Sequence, residues 1–298
     1  MDFMLTATQK ERFSSEFRHR LEHTEALPVL PEVARELLVL RHDANAGIPE
    51  LVAVVERDPA SAAQLLRHAR LSMFGYGERI NTVNDAVQLV LGFERSLHMV
   101  IGLAAGKPLR MEPGGPLGRK AFWKHSVYVA VLCQSLASQM PSGYRPNPGV
   151  AYLAGLMHDV GYLLLAHLYP HEFSLLNQAV ERYSDIKVRE IELISLGVSH
   201  DMVGMWLMRA WNMPKEVVVG VAEHCFPDYD GEYSVFPKLI YMANQALRYH
   251  NLGGNMSAIY EAMQIASLGI DEESFEQVIG RVFGISSELD QMSEEMAA

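Results

Sequence analysis

Residues 151–165 read AYLAGLMHDVGYLLL, and only His158 and Asp159 in this stretch are frankly polar. A surface helix shows a polar face, whereas a segment that is apolar all round belongs in the middle of a bundle. Fifteen residues is long for a buried strand and short for a bilayer crossing. The stretch therefore predicts one central helix, buried on all sides, that carries an imidazole and a carboxylate into the core. An unpaired buried carboxylate costs roughly several kcal/mol even after relaxation. A metal, a cationic or hydrogen-bonding partner, or a water-filled cleft must meet it. A His–Asp pair that merely joins helices meets the same requirement, and spacing alone does not separate these readings.

Outward from this stretch, nearly every window has apolar residues at helical spacing, and none alternates with a period of two. The expectation is an all-α protein. Thr6 to His23 reads as a polar amphipathic helix, an N-terminal arm over residues 1–25. In LPVLPEVARELLVL the apolar stripe is Val33, Ala34, Leu37, Leu38 and Leu40, with Pro31 in the first turn. Pro49 and Pro59 open two further helices, the second with Asp58 as N-cap. Residues 107–118, KPLRMEPGGPLG, hold three prolines and three glycines and form the best linker candidate. Ser199 is placed to cap a helix reaching Trp211, and Pro214 to open one ending near His224. Three more helices are expected near 237–250, 255–267 and 271–283, followed by a frayed acidic tail over 286–298.

Composition narrows the function. The chain of 298 residues carries a formal net charge of −11, with a pI near 5.5. That balance argues against nucleic acid or an anionic membrane as the main partner. The two cysteines, Cys133 and Cys225, have no paired spacing and fit a reducing cytoplasm. The N-terminal residues do not form a signal peptide, and no apolar run is expected to span a membrane. Cys133 reads as core. Cys225, beside His224, could ligate a metal or act as a nucleophile. The sixteen methionines suit adaptable packing.

His125 has Val129, Leu132, Cys133 and Leu136 at i+4, i+7, i+8 and i+11, which puts it on an apolar helix face. Singly, such a histidine is more often a satisfied core residue than a ligand, and the same holds for His200 and His224. Together with His158 and Asp159 they make a candidate shell for a divalent ion. Such an ion lowers the pKa of bound water and polarises a phosphoryl oxygen.

The doublet in GLMHDVGYLLL, preceded by His125–Ser126, resembles the HD superfamily of metal-dependent phosphohydrolases. In those enzymes a first His, the His-Asp doublet and a later Asp bind the metal. A narrower match covers more of the chain. LPVLPEVARELL, ELVAVVERDPASAAQLLRHAR, FGYGERINTVNDAVQLVLGFERSLHMV, FWKHSVYVA, AGLMHDVGYLLL, SLGVSHDMVGMWLMRAW and NMPKEV resemble, in order, the blocks of the HDOD domain. This domain is a bacterial signalling module related to the phosphohydrolases. The resemblance spans about residues 26–225. It implies a helical lobe over 26–106, the linker over 107–118 and an HD-like lobe over 119–225, completed by helices in 226–285.

Two departures bear on activity. Tyr162 stands where catalytic relatives carry a Lys after the doublet, which removes charge from the expected phosphate-facing wall. Asn244 stands where the last metal-binding Asp is expected, and an amide binds a divalent cation more weakly than a carboxylate does. The GYP triplet of the HD-GYP relatives is missing, and their His-His pair becomes His224–Cys225. The resemblance thus implies a preserved scaffold with an eroded metal site at His125, His158, Asp159, His200 and His224. No catalytic residue is assigned. A divalent metal (Fe, Mn, Zn or Mg) is the candidate cofactor, and a small nucleotide the candidate ligand. The expected function is a cytoplasmic signalling module that binds protein partners. The alternatives are a metal-dependent phosphohydrolase or phosphodiesterase acting on nucleotides or cyclic dinucleotides, and a helical adaptor whose histidines form only a polar core.

Overall fold

Proline and glycine punctuation sets where the helices start. Pro31 immediately precedes α1 (Glu32–Leu40), Pro49 lies in the first turn of α2 (Ile48–Glu56), and Pro59 opens α3 (Pro59–Ala69). A first-turn proline loses no helical hydrogen bond, because its missing N–H would have had no partner. Asp58 is the N-cap residue of α3, but it makes no side-chain capping hydrogen bond. Its carboxylate accepts from Ser61 Oγ and pairs with Lys107. A short turn, Val83–Asp85, runs into a π-helical stretch, Ala86–Leu91. Gly92, with φ of 75°, then redirects the chain into α4 (Gly92–Ala105).

The computed structural model describes residues 27–250 and 262–298, with positions 8 and 15. Apart from those two positions, the expected helix over Thr6–His23 lies outside the described residues. The helices that follow are α5 (Arg119–Gln139), α6 (Pro148–Met157), α7 (Val160–Leu168), α8 (Pro170–Arg182) and α9 (Val188–Ser195). Then come α10 (His200–Ala210), α11 (Lys215–Glu223), α12 (Val235–Tyr249), α13 (Ala262–Ala266), α14 (Glu272–Gly284) and α15 (Ser286–Ala297). Of the helix expected near 255–267, residues 255–261 lie outside the described ones. No strand occurs among the described residues, so the protein is all-α.

The α6 helix is the axis of the molecule. It lies against α5 along its length and also touches α4, α11 and α12, while α7 lies against α8 and α10. The α4–α6 contact joins an N-terminal lobe of α1–α4 to the C-terminal lobe. The segment expected as one central helix is in fact two, broken at His158–Asp159. Asp159 has φ −99° and ψ 11°, which ends one helix and starts the next with its carboxylate at the N-terminus of α7. An anion is favoured there by the helix dipole. Two segments do reach membrane-spanning length and hydropathy, contrary to the reading above: Val83–Ala105 and Pro148–Leu168. The second is 94% buried inside the fold, as a core helix pair would be.

Where α7 crosses α10 the two backbones touch. A Cβ on Gly161 would lie 2.0 Å from the His200 carbonyl oxygen, and one on Gly204 would lie 3.3 Å from Gly161 N. Residues 107–118 form an anchored loop. Leu109 and Met111 are buried, Leu117 N–H donates to Asn177 Oδ1, and Asn177 Nδ2 donates to the Gly114 carbonyl. The acidic tail is not frayed. Residues 286–297 are helix α15, with Leu289, Met292 and Met296 buried. Charges hold it to both lobes: Glu288 accepts from Ser72, Glu295 pairs with Arg67 on α3, and Asp290 accepts from Lys124 and Tyr128 on α5. Acidic composition suggested solvation, but Leu289, Met292 and Met296, at i, i+3 and i+7, supply an apolar stripe.

Candidate metal centre

Two of the site histidines end helices in the same way. His158 is the C-cap of α6 and its Nδ1 lies 2.7 Å from the Gly155 carbonyl oxygen. His224 is the C-cap of α11 and its Nδ1 lies 2.8 Å from the Val221 carbonyl oxygen. Each ring therefore donates from Nδ1 to a carbonyl that the ending helix leaves open. That hydrogen bond assigns the tautomer and leaves Nε2 to face the site. The Nε2 of His158 is buried without a hydrogen-bond partner.

His200 starts α10, and a residue that sequence reasoning missed holds it. Glu192 on α9 is fully buried. Its Oε2 accepts from the His200 backbone N–H at 3.0 Å, and both carboxylate oxygens lie 2.8 Å from His200 Nδ1. Ser199, expected to cap α10, makes no such bond, and its Oγ is buried without a partner. Glu192 does the capping. Its signal was present in VREIELIS, where Val188, Ile191, Glu192 and Ser195 share the stripe at i, i+3, i+4 and i+7. Tyr162 also differs from expectation. It does not face an open wall: its ring stacks on His200 at 4.5 Å between centroids, and its hydroxyl donates to Glu192.

All five expected residues meet at Asp159. Oδ2 lies 3.6 Å from His125 Nε2 and 3.2 Å from His158 Nε2. Oδ1 lies 3.4 Å from His200 Nε2 and 3.6 Å from His224 Nε2. The carboxylate thus turns one oxygen to each pair of imidazoles. His200 and His224 do not point to solvent, and their Nε2 atoms are 3.1 Å apart. Only His125 and Asp159 remain partly open, with side chains 24% and 16% exposed. Asn244 makes no hydrogen bond to this network through its Oδ1. It lies on α12, which packs on the helix of His125, and its Oδ1 is buried without a hydrogen bond.

The electrostatics follow from this crowding. Burial opposes ionisation of Asp159, but the facing His158, His224 and His200 rings outweigh it and hold the carboxyl well below its usual range. Burial likewise opposes protonation of His200, yet Glu192 and Cys225 carry it well above its ordinary value. His224 rises to about 10 against burial, through Cys225 and Asp159. Burial pushes His125 down to about 4 despite Asp159. The His200–His224 edge therefore calls for positive charge. Two protonated rings would set two N–H donors against each other at 3.1 Å and two neutral rings would oppose two lone pairs, whereas one protonated and one neutral ring share a hydrogen bond there. A divalent cation would take both lone pairs of the neutral rings instead. Each of His158, His200 and His224 has Nδ1 committed to a carbonyl or carboxylate, the usual outer support of a metal-binding imidazole. The residues present fit a cation.

Comparison with known proteins agrees with this architecture. A protein assigned to signal transduction in Marinobacter aquaeolei VT8 is 32% identical, with a TM-score of 0.82 over 97% of this chain and 66% of that one. A protein assigned as a phosphohydrolase in Shewanella amazonensis SB2B shares the fold, at 21% identity and a TM-score of 0.71 over 94% and 97% of the two chains. A protein of Treponema pallidum (strain Nichols) is 22% identical over 243 residues, 81% of this chain and 45% of its own length. The chain thus spans less than two thirds of the Marinobacter and Treponema relatives. The sequence pattern of the HDOD domain matches residues 27–227, more than half of the chain, and the chain belongs to the HDOD domain family.

Proposed function

We propose that this chain is a regulatory module in bacterial signal transduction that works in the cytoplasm through protein partners, and that its HD-like centre binds a divalent cation without hydrolysing phosphodiesters. The observation that carries this reading is Tyr162. The position where a catalytic relative would place a cation against phosphate holds a buried ring, stacked on His200 and bonded to Glu192. Hydrolysis needs a held metal, an open coordination position and groups that neutralise the phosphoryl oxygens. Asn244 supplies no charge to the site, and Tyr162 supplies none to the wall. Acidic net charge supports protein rather than nucleic-acid partners.

The alternative, a metal-dependent phosphohydrolase acting on nucleotides or cyclic dinucleotides, is favoured by the convergence of four imidazoles on Asp159. One experiment separates the two. The protein loaded with Mn2+ or Fe2+ is assayed against nucleotides, cyclic dinucleotides and a generic phosphodiester, and no turnover is expected. Metal-dependent turnover abolished by His158→Ala or Asp159→Ala would establish the enzyme instead. Asn244→Asp should tighten metal binding if that position borders the cation, and should leave it unchanged otherwise.

A further inference from the structure

Cys225 is not among the five residues that meet at Asp159, although it lies against two of them. It follows His224 just past the end of α11, and its Sγ lies 3.4 Å from His224 Nε2 and 3.7 Å from His200 Nε2. Those two nitrogens are 3.1 Å apart, and Asp159 Oδ1 lies 3.4 Å from one and 3.6 Å from the other. Ligands around a tetrahedral zinc, with Zn–N near 2.0–2.1 Å and Zn–S near 2.3 Å, stand roughly 3.3–3.6 Å from one another. These separations match five of the six edges of that tetrahedron to within a few tenths of an ångström, and the His200, His224 and Cys225 donor atoms all lie within 4.8 Å of one another. Both ring nitrogens are already aimed at its centre, because Glu192 and the Val221 carbonyl engage the opposite nitrogens.

We infer that Cys225 is a thiolate ligand, and that with His200, His224 and Asp159 it closes a four-coordinate site for Zn2+ or a similar borderline-soft ion. This inference rests on the reading of the cluster as a cation site. Thiolate selects such ions over Mg2+ or Mn2+, which prefer oxygen donors in octahedral shells. Binding releases the thiol proton to solvent, and the Sγ lone pair forms the bond to the ion. Four protein ligands leave no open position, which is the pattern of a structural rather than a catalytic zinc. Cys225 would then account for a centre that keeps its imidazoles while lacking hydrolysis.

Cobalt reads this out directly. The full chain, purified without an affinity tag and stripped of metal, is titrated with Co2+ alone and followed by absorption. One tetrahedral Co2+ per chain with a sulfur-to-cobalt charge-transfer band is expected. Cys225→Ser should lose that band and bind Zn2+ more than about 100-fold more weakly, beyond the 10–100-fold typical of a lost outer-shell partner. The other thiol, Cys133, is buried in α5, so Cys133→Ala should keep the band. Those two wild-type and Cys133→Ala spectra decide the matter even if Cys225→Ser fails to fold. Co2+ bound without the band, or a band that survives Cys225→Ser, overturns Cys225 as ligand and leaves the cation site standing. No Co2+ or Zn2+ bound at all overturns both.

Discussion

The α6 helix touches two buried histidine environments, and they differ in kind. At its C-terminal end, His158 faces Asp159 amid three further imidazoles and has its second nitrogen anchored. Six residues earlier, Tyr152 meets the edge of His68 from α3, with ring centroids 5.2 Å apart. His68 is 1% exposed, and neither of its nitrogens makes a well-formed hydrogen bond, nor does the Tyr152 hydroxyl. Burial pushes His68 down to about 4, whereas Cys225 and Asp159 carry His224 up to about 10 against burial. Burying an imidazole in an apolar core therefore does not make a site. An anchored second nitrogen and a facing carboxylate do.

Glu192→Ala tests the contrast most severely. It strips partners from the His200 ring, the His200 backbone N–H and the Tyr162 hydroxyl, all buried. Urea denaturation at pH 7 should show a loss of about 3–5 kcal/mol, as for a broken buried charge network. A loss below about 1 kcal/mol would mean the network does not hold His200.

His68 should behave in the opposite way. Replacing an unsatisfied buried polar group with an apolar one of similar size is nearly neutral, so His68→Leu should stay within about 1 kcal/mol of wild type at pH 7. Acid separates them. The His68 pKa falls from 6.5 to about 4 on folding, so the unfolded chain binds the extra proton. Its contribution is fully present above pH 6.5 and is lost as pH falls through about 4, a drop of up to about 3 kcal/mol. Melting temperature recorded from pH 7 to 4 should therefore decline more steeply in wild type than in His68→Leu. Parallel curves would remove His68 from the account.

Two smaller effects complete the series. Gly161→Ala forces a methyl group into the His200 carbonyl, and a backbone shift should cost about 1–3 kcal/mol. Calorimetry should show weaker Zn2+ binding as well, since His200 moves; an unchanged variant would mean that the crossing is loose. Arg67→Ala breaks a half-exposed pair with Glu295 on α15 and should cost about 1 kcal/mol by thermal melting.

Much of this was legible in the sequence, for physical reasons. Helical apolar spacing gives the class, and proline positions give the starts of α2 and α3. The five donors were legible as an ensemble, because polar groups set in apolar helices must find one another. The break at His158–Asp159 was hidden, since nothing local marks it: neither glycine nor proline interrupts the doublet, and the turn is fixed by what Asp159 faces across the bundle. Glu192 was missed because a Glu between Ile191 and Leu193 reads as solvated until the stripe is drawn. The α15 helix was missed because its acidic residues find cations more than 160 residues away, on α3 and α5.

The crossing of Gly161 and Gly204 has a mechanical side. Asp159 and His200 flank a point where main chain bears on main chain, so the backbones that carry them are held at a fixed spacing. The two groups move as one stiff body, like the jaws of a locked caliper. A cage that cannot widen sorts ions by radius. Ca2+, which needs six to eight oxygen ligands at about 2.3–2.6 Å, could enter only by prising α7 from α10. On the cation reading proposed above, the absence of two side chains would act as a size filter on the bound ion.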